Sequence, residues 1–253
     1  MSKQFLAPIS HAEIEARISG HLDELLELWW AEQGLSKPRD LQLIAFPRGQ
    51  AVRVLDLCCG PGDVGRAIRH EYPNAQIDWV DRDPFLTSIC AGVNRRDQVP
   101  GKIVVADLAA RGWQDGLSRD YDAVVTANAL HWFDVARAAQ LIQDIHALLR
   151  SGGVFAFAEP ASPAIPFSAG FEEWKARQPP RYSRENWERF WSTANKLLGY
   201  DHTKLLGPRD TNRIGGDDMS VAGWTRMLER AGFTLTDVLL RDADQVIIAA
   251  LKS

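Results

Sequence analysis

A chain of 253 residues, 45% hydrophobic and 25% charged, is long enough for one large domain with a sizeable core and too ordinary in composition to be disordered or fibrous. Its formal net charge of -4 argues against a protein that lives on nucleic-acid phosphates, which would carry a basic balance or stripe. The one arginine-bearing stretch, Arg177 to Arg189, is broken by Glu185 and Glu188 and reads as a solvated charged face.

From His11 to Glu32 the spacing of Ile14, Ile18, Leu22, Leu25 and Trp29 predicts helix, with Ser10 as N-cap, Glu13 placed for a capping box and Gly34 as a stop. Gly20 weakens the middle, so two shorter helices are an alternative. The stretch either packs on the core or forms a lid. The apolar run Leu41 to Phe46 is ambiguous. A strand-helix rhythm then begins: strand Ala51 to Cys58, a turn and helix from Gly60 to His70, strand Gln76 to Val80, helix Pro84 to Asn94, strand Ile103 to Ala106, and strand Tyr121 to Ala127. Helix Val135 to Arg150 follows, then a break at Ser151-Gly152-Gly153 and strand Val154 to Ala158. Alternation of this kind implies crossover connections and a parallel sheet with both faces covered.

Residues 161 to 218 interrupt the rhythm with Pro163, Pro166, Pro179, Pro180 and Pro208 and with aromatics that include Phe167, Phe171, Trp174, Tyr182, Trp187, Phe190, Trp191 and Tyr200. They read as a partly helical insertion. Ser220 to Gly232 predicts a further helix, and Thr234 to Leu240 and Gln245 to Leu251 an antiparallel hairpin. The expected architecture is an α/β, doubly wound, mostly parallel seven-stranded sheet in one domain. It divides into an N-terminal helical lid (1–46), a cofactor-binding core (51–160), a cap insertion (161–218) and a C-terminal helix and hairpin (219–253).

Cys58, Cys59 and Cys90 suggest neither a disulfide framework nor a zinc spacing. The chain shows no charged-then-apolar leader and no apolar run near the roughly 20 residues that span a bilayer. A cytoplasmic protein without metal or membrane attachment is expected.

Gly60-Pro61-Gly62-Asp63-Val64-Gly65 matches G-x-G-x-x-G between a strand and a helix, where backbone can approach a ligand closely. A dinucleotide and S-adenosyl-L-methionine both use such a loop. Asp56, at the end of the first strand, favours the second: a sulfonium and an ammonium welcome a carboxylate, whereas a pyrophosphate does not. Asp81 closes the second strand about 20 residues on, where a carboxylate serves a ribose in either cofactor class.

With these residues in place, the segment resembles the first motif of the class I, Rossmann-like S-adenosylmethionine-dependent methyltransferases, on Asp56, Cys58, Gly60 and Gly62. Cys58 departs from the family, which usually has glycine there. The resemblance continues through most of Arg53 to Ser253. It implies a cofactor-binding set of Asp56, Cys58, Gly60, Pro61, Gly62, Asp81, Arg82, Asp107, Leu108 and Asn128. Asp107 would take the adenine amino group, Leu108 would pack on the ring, and Asn128 would lie by the reactive end. Asp107 as a plain turn aspartate or helix cap is the alternative.

Ala129-Leu130-His131-Trp132-Phe133 is similar to the same stretch of small-molecule and carrier-bound carboxylate methyltransferases such as the trans-aconitate and malonyl-carrier enzymes. The resemblance implies methyl transfer to a small-molecule acceptor at O, N or C. His131 is the candidate general base or orienting donor, with a packing histidine as the alternative. Trp30, Trp132, Glu159, Phe167, Trp174 and Trp191 are the candidate acceptor-binding residues, although the insertion's aromatics could instead form its own small core. A cofactor-binding protein without turnover and an NAD-linked oxidoreductase are the competing functions.

Overall fold

The computed structural model describes residues 8–33, 51–161, 169–177, 183–206, 220–242 and 245–253. Gly34, the run Leu41 to Phe46, Phe167, the five insertion prolines and Tyr182 lie outside them.

The N-terminal helical pattern divides at Gly20 into α1 (His11–Ile18) and α2 (Leu22–Gln33). Ser10 caps α1, its Oγ accepting the Glu13 N–H at 3.2 Å, while the Glu13 carboxylate turns to Arg17 at 2.7 Å. The core alternates as the sequence predicts: β1 (Arg53–Leu57), α3 (Asp63–Glu71), β2 (Gln76–Asp81), α4 (Pro84–Arg96), β3 (Ile103–Val105), β4 (Tyr121–Ala127), α5 (Val135–Leu148) and β5 (Leu149–Pro160). The insertion contributes α6 (Ala169–Ala176) and α7 (Arg184–Leu198), and the chain returns through α8 (Val221–Ala231), β6 (Leu235–Asp242) and β7 (Gln245–Leu251). Ser220 and the left-handed Gly232 cap α8 at its two ends.

The seven strands lie in the order β3-β2-β1-β4-β5-β7-β6. The first five are parallel, and β7 runs antiparallel to both β5 and β6. The chain reverses its direction of travel across the sheet between β1 and β4, which opens a crevice at the carbonyl ends of those strands.

One boundary differs from the sequence expectation. The glycine pair after α5 does not separate helix from strand; β5 already begins at Leu149, which pairs with Tyr121. The ladder is irregular between Tyr121 and Ala123, Gly152 sits at φ +75, and its N–H is taken by the Lys252 carbonyl at 2.7 Å. Residues 150–153 therefore form a bulge within a strand, with β7's neighbour Lys252 supplying the bond that a turn would have lacked.

Strand residues alternate between two apolar faces. Leu55, Val124, Phe155 and Ile248 meet α5 and α8 through Leu141, Ile145, Trp224 and Leu228. Val54, Val125, Ala156 and Ile247 meet α3 through Val64 and Ile68. At about 1.5–3 kcal/mol for each large side chain fully buried, this two-sided sheet supplies most of the folding drive. A third cluster joins Ile14, Ile18, Leu25 and Leu26 of the N-terminal helices to Phe85 and Ile89 of α4 and to Phe190, Trp191 and Leu198 of α7. It carries the N-terminal helices and part of the insertion to the same side of the crevice. Among the described residues, no helix is long and apolar enough to cross a membrane.

Candidate cofactor and acceptor site

The glycine loop leaves β1 through Cys58 at φ +52, Gly60 at φ +52 and Gly62 at φ +89, and Gly62 is the N-cap of α3. This backbone is left-handed, which glycine adopts freely and cysteine does not; the fold imposes on Cys58 a conformation costing about 1–2 kcal/mol. The family preference for glycine at this position thus has a local cause. Cys58 is half-buried against the sheet core. Gly65 has a different reason: a Cβ there would lie 2.9 Å from Ile77 Cγ2 and closer still to Trp79 Nε1, so its absence lets α3 sit down on β2.

Two buried carboxylates hold this loop from below. Asp56 Oδ2 accepts the Gly65 N–H at 2.9 Å, and Asp81 Oδ2 accepts the Gly60 N–H at 2.9 Å. Asp81 Oδ1 takes the Asp83 N–H at 2.9 Å. A carboxylate oxygen can accept two hydrogen bonds, so these backbone contacts do not saturate either acid. Burial pushes Asp56 up to about 7, with Asp63 and Asp81 adding repulsion, and pushes Asp81 up to about 6, with Asp83 adding to it. A cationic group in the crevice would hold both in their ionised forms. A left-handed cradle with glycines at its close approaches, over carboxylates short of positive charge, fits S-adenosylmethionine. Arg82, beside Asp81, is exposed.

The next strand contributes Asp107 and Leu108. Asp107 Oδ1 accepts the Ala109 N–H at 2.9 Å, so the turn role is realised. The Leu108 side chain is buried in the main core, and its carbonyl is gripped by the Arg137 guanidinium from α5.

At the end of β4, Asn128 is also left-handed, at φ +52. Its N–H goes to the Ala158 carbonyl at 2.8 Å, and its own carbonyl accepts Trp132 Nε1–H at 3.0 Å. The 3₁₀ turn Leu130–Trp132 then presents His131. Glu159, at the end of β5 and wholly buried, holds that turn: Oε1 accepts the Ala129 and Leu130 N–H groups, each at 2.7 Å, and Oε2 lies 2.7 Å from His131 Nδ1. Its ring is tilted against Trp132 at 5.0 Å. Asp56, Gly60, Asp81, Asn128, His131 and Glu159 thus converge at the carbonyl ends of β1, β2, β4 and β5.

The aromatic residues divide. Trp191 is 5% exposed and packs against Phe85, Phe190, Trp187 and His202, an interior role. Trp174 is 41% exposed on α6. Trp30 is equally exposed on α2, and its indole is bound to Asp63 at 2.9 Å. Sequence reasoning did not select Asp63, whose contacts reach back to α2. Nor did it select the buried His202–Asp83 pair, 2.8 Å apart, which ties the insertion to the N-terminus of α4 beside Asp81. These partners are 33 and 119 residues apart in the chain, so no local spacing signals them.

Comparison with known proteins bears on the same residues. Residues 54–153 match the family model of a methyltransferase domain. The chain is 31% identical over 181 residues to a trans-aconitate 2-methyltransferase of Paracidovorax citrulli, covering 71% of this chain and 62% of that protein. It is 30% identical over 127 residues to a malonyl-[acyl-carrier protein] O-methyltransferase of Enterobacter lignolyticus, covering 50% and 46%. The chain thus spans less than two thirds of these relatives' length. Among solved structures, human N-acetylserotonin methyltransferase in complex with S-adenosylmethionine superposes with a TM-score of 0.55 at 16% identity, over 96% of this chain and 60% of that one. In its strand order, its acidic and glycine-bearing first loop and this domain match, the chain is similar to the class I S-adenosylmethionine-dependent methyltransferases.

Proposed function

We propose that the protein transfers the methyl group of S-adenosylmethionine to an oxygen of a small organic acceptor, with His131 taking the acceptor's proton. The observation that carries this reading is the His131–Glu159 pair. Glu159 is buried, both of its oxygens are committed, and one is 2.7 Å from His131 Nδ1. A carboxylate there favours the tautomer with the proton on Nδ1, and Nε2 is then the atom that can accept a proton.

When bound, the cofactor supplies an electrophilic methyl on a good leaving group. The chain's residues do the rest. Asp56 and the loop from Cys58 to Gly62 hold the methionine end, and Asp81 and Arg82 the ribose. Asp107 holds the adenine, with the Leu108 side chain turned into the core rather than onto the ring, and Asn128 borders the reactive end. Positioning and exclusion of water supply most of the acceleration. Trp132, beside His131, and the helices of the 161–218 insertion form the acceptor side, with Trp30 and Trp174 as further wall residues and α1–α2 as lid. Glu159 acts through His131 rather than on the acceptor, and Trp191 supports the cap from within.

The relatives' names favour organic-acid acceptors, and a second reading follows from them. A carboxylate acceptor is already ionised, so His131 as an imidazolium, steadied by Glu159, would hold it instead. The pH profile of turnover separates the two: activity rises with pH for a base and falls for an imidazolium clamp. The direct test is calorimetric titration with S-adenosylmethionine and S-adenosylhomocysteine, followed by a methyl-transfer screen over small hydroxy and carboxylic acids. Saturable binding of both and turnover that is lost in His131→Gln are expected. Failure of both ligands to bind would overturn the reading, and binding without turnover of any acceptor would favour a cofactor-binding protein that does not catalyse.

A further inference from the structure

α2 lies over the glycine loop, and its adjacent tryptophans end on a single carboxylate. Trp29 Nε1–H donates to Asp63 Oδ2 at 2.8 Å and Trp30 Nε1–H to Asp63 Oδ1 at 2.9 Å. Arg66 Nη2 also donates to Oδ1, at 2.9 Å. Successive helix residues project about 100° apart, so two neighbours can share one carboxylate only when the helix edge between them faces it directly. Asp63 is the first residue of α3, and an acidic residue there would be unremarkable as a partner of the helix dipole. Besides Arg66 of its own helix, its oxygens accept both indoles of a different helix, and its side chain is 11% exposed.

Trp29 also touches the loop itself: a Cβ on Gly60 would lie 3.2 Å from Trp29 Cζ2. The same ring meets α7, with centroids 5.2 Å from Phe190 and 6.4 Å from Trp187. One indole therefore contacts the cofactor loop and the cap helix together, and it is anchored to the helix that the loop opens.

We propose that Asp63 is a positioning residue that latches α2 shut across the cofactor crevice, so that S-adenosylhomocysteine leaves only when the two indole bonds open. The proposal rests on the methyltransferase reading above. Because Trp29 also supports α7, the acceptor side is completed once the latch is made. Cofactor therefore binds first, and S-adenosylhomocysteine departs last.

The test uses the full chain and measures S-adenosylhomocysteine release by stopped-flow competition in wild type, Asp63→Ala and the double variant Trp29→Phe, Trp30→Phe. The double variant keeps aromatic rings while removing both donors. Hydrogen bonds to a charged acceptor are each worth about tenfold or more, so both variants should release the ligand roughly tenfold to hundredfold faster. In wild type, two indole N–H resonances should sit downfield and exchange slowly, and both should lose these features in Asp63→Ala. If wild type binds S-adenosylhomocysteine and folded variants release it within twofold of the wild-type rate, the latch is overturned while the methyltransferase reading stands. Should Asp63→Ala fail to fold, the double variant decides the matter alone. If wild type itself does not bind the ligand, the underlying reading fails, and the latch with it.

Discussion

Replacing Glu159 by Gln tests the His131 assignment with little change of shape. The wild-type carboxylate is wholly buried and makes three contacts of 2.7 Å, to the Ala129 and Leu130 N–H groups and to His131 Nδ1. In Glu159→Gln the amide oxygen can keep both backbone donors. The amide nitrogen then faces Nδ1, and because it can only donate, the imidazole must move its proton to Nε2. The atom that should take the acceptor's proton is blocked. General-base catalysis is worth about 10²–10⁴ in rate, and turnover should fall by that range while S-adenosylmethionine affinity holds. Stability should fall by only about 1–2 kcal/mol, the difference between a charged and a neutral hydrogen bond. Glu159→Ala should behave differently. It strands two buried N–H groups and a ring nitrogen, costs about 3–5 kcal/mol, and lowers the melting temperature by about 10 °C. Steady-state kinetics on the best acceptor, with thermal melts of both variants, make the comparison. Turnover of Glu159→Gln within about threefold of wild type, in a protein that binds cofactor normally, would refute the assigned tautomer and with it His131 as the base.

Two further outcomes follow from the loop. Asp56 is pushed from its ordinary 3.8 to about 7 and Asp81 to about 6 by burial, so their contribution to stability is present below the unfolded value and lost as pH rises through those folded values. The ligand-free protein should therefore lose stability between about pH 4 and 7 on account of these groups, and the thermal shift given by S-adenosylmethionine should grow over the same interval as the carboxylates ionise. Asp56→Asn should flatten both trends, and an equal ligand shift at about pH 5 and about pH 8 in wild type would contradict the assignment of Asp56 to the cation. Gly65→Ala should cost about 1–3 kcal/mol in a urea titration, because the new Cβ falls 2.9 Å from Ile77 Cγ2 and presses on the fully buried Trp79.

The strand-helix alternation, the hairpin and the first loop were legible without coordinates because each rests on local chemistry. Apolar runs mark strands buried on both faces, glycines mark the turn, and Asp56 and Asp81 end strands whose register is short and regular. Even the departure at Cys58 could be seen in the sequence, although its meaning could not: only the backbone shows that position 58 is left-handed at φ +52. Trp191 illustrates the opposite limit. A tryptophan in an aromatic-rich insertion reads equally well as pocket wall or as packing, and its partners Phe85 and His202, one on α4 and the other in the short 3₁₀ turn after α7, settle where it is buried.

By itself, then, the sequence determined the architecture, the glycine loop and the carboxylates that make a cationic nucleoside the fitting ligand, since those depend on residue type and short spacing. Tertiary structure alone decided that Glu159 bonds to His131 and to the turn that carries it, that Trp29 and Trp30 converge on Asp63, and that His202 anchors the insertion at Asp83, beside Asp81. Each of these contacts joins segments 28 to 119 residues apart. They exist because the parallel sheet gathers the carbonyl ends of its strands on one side, and chain spacing carries no record of that gathering.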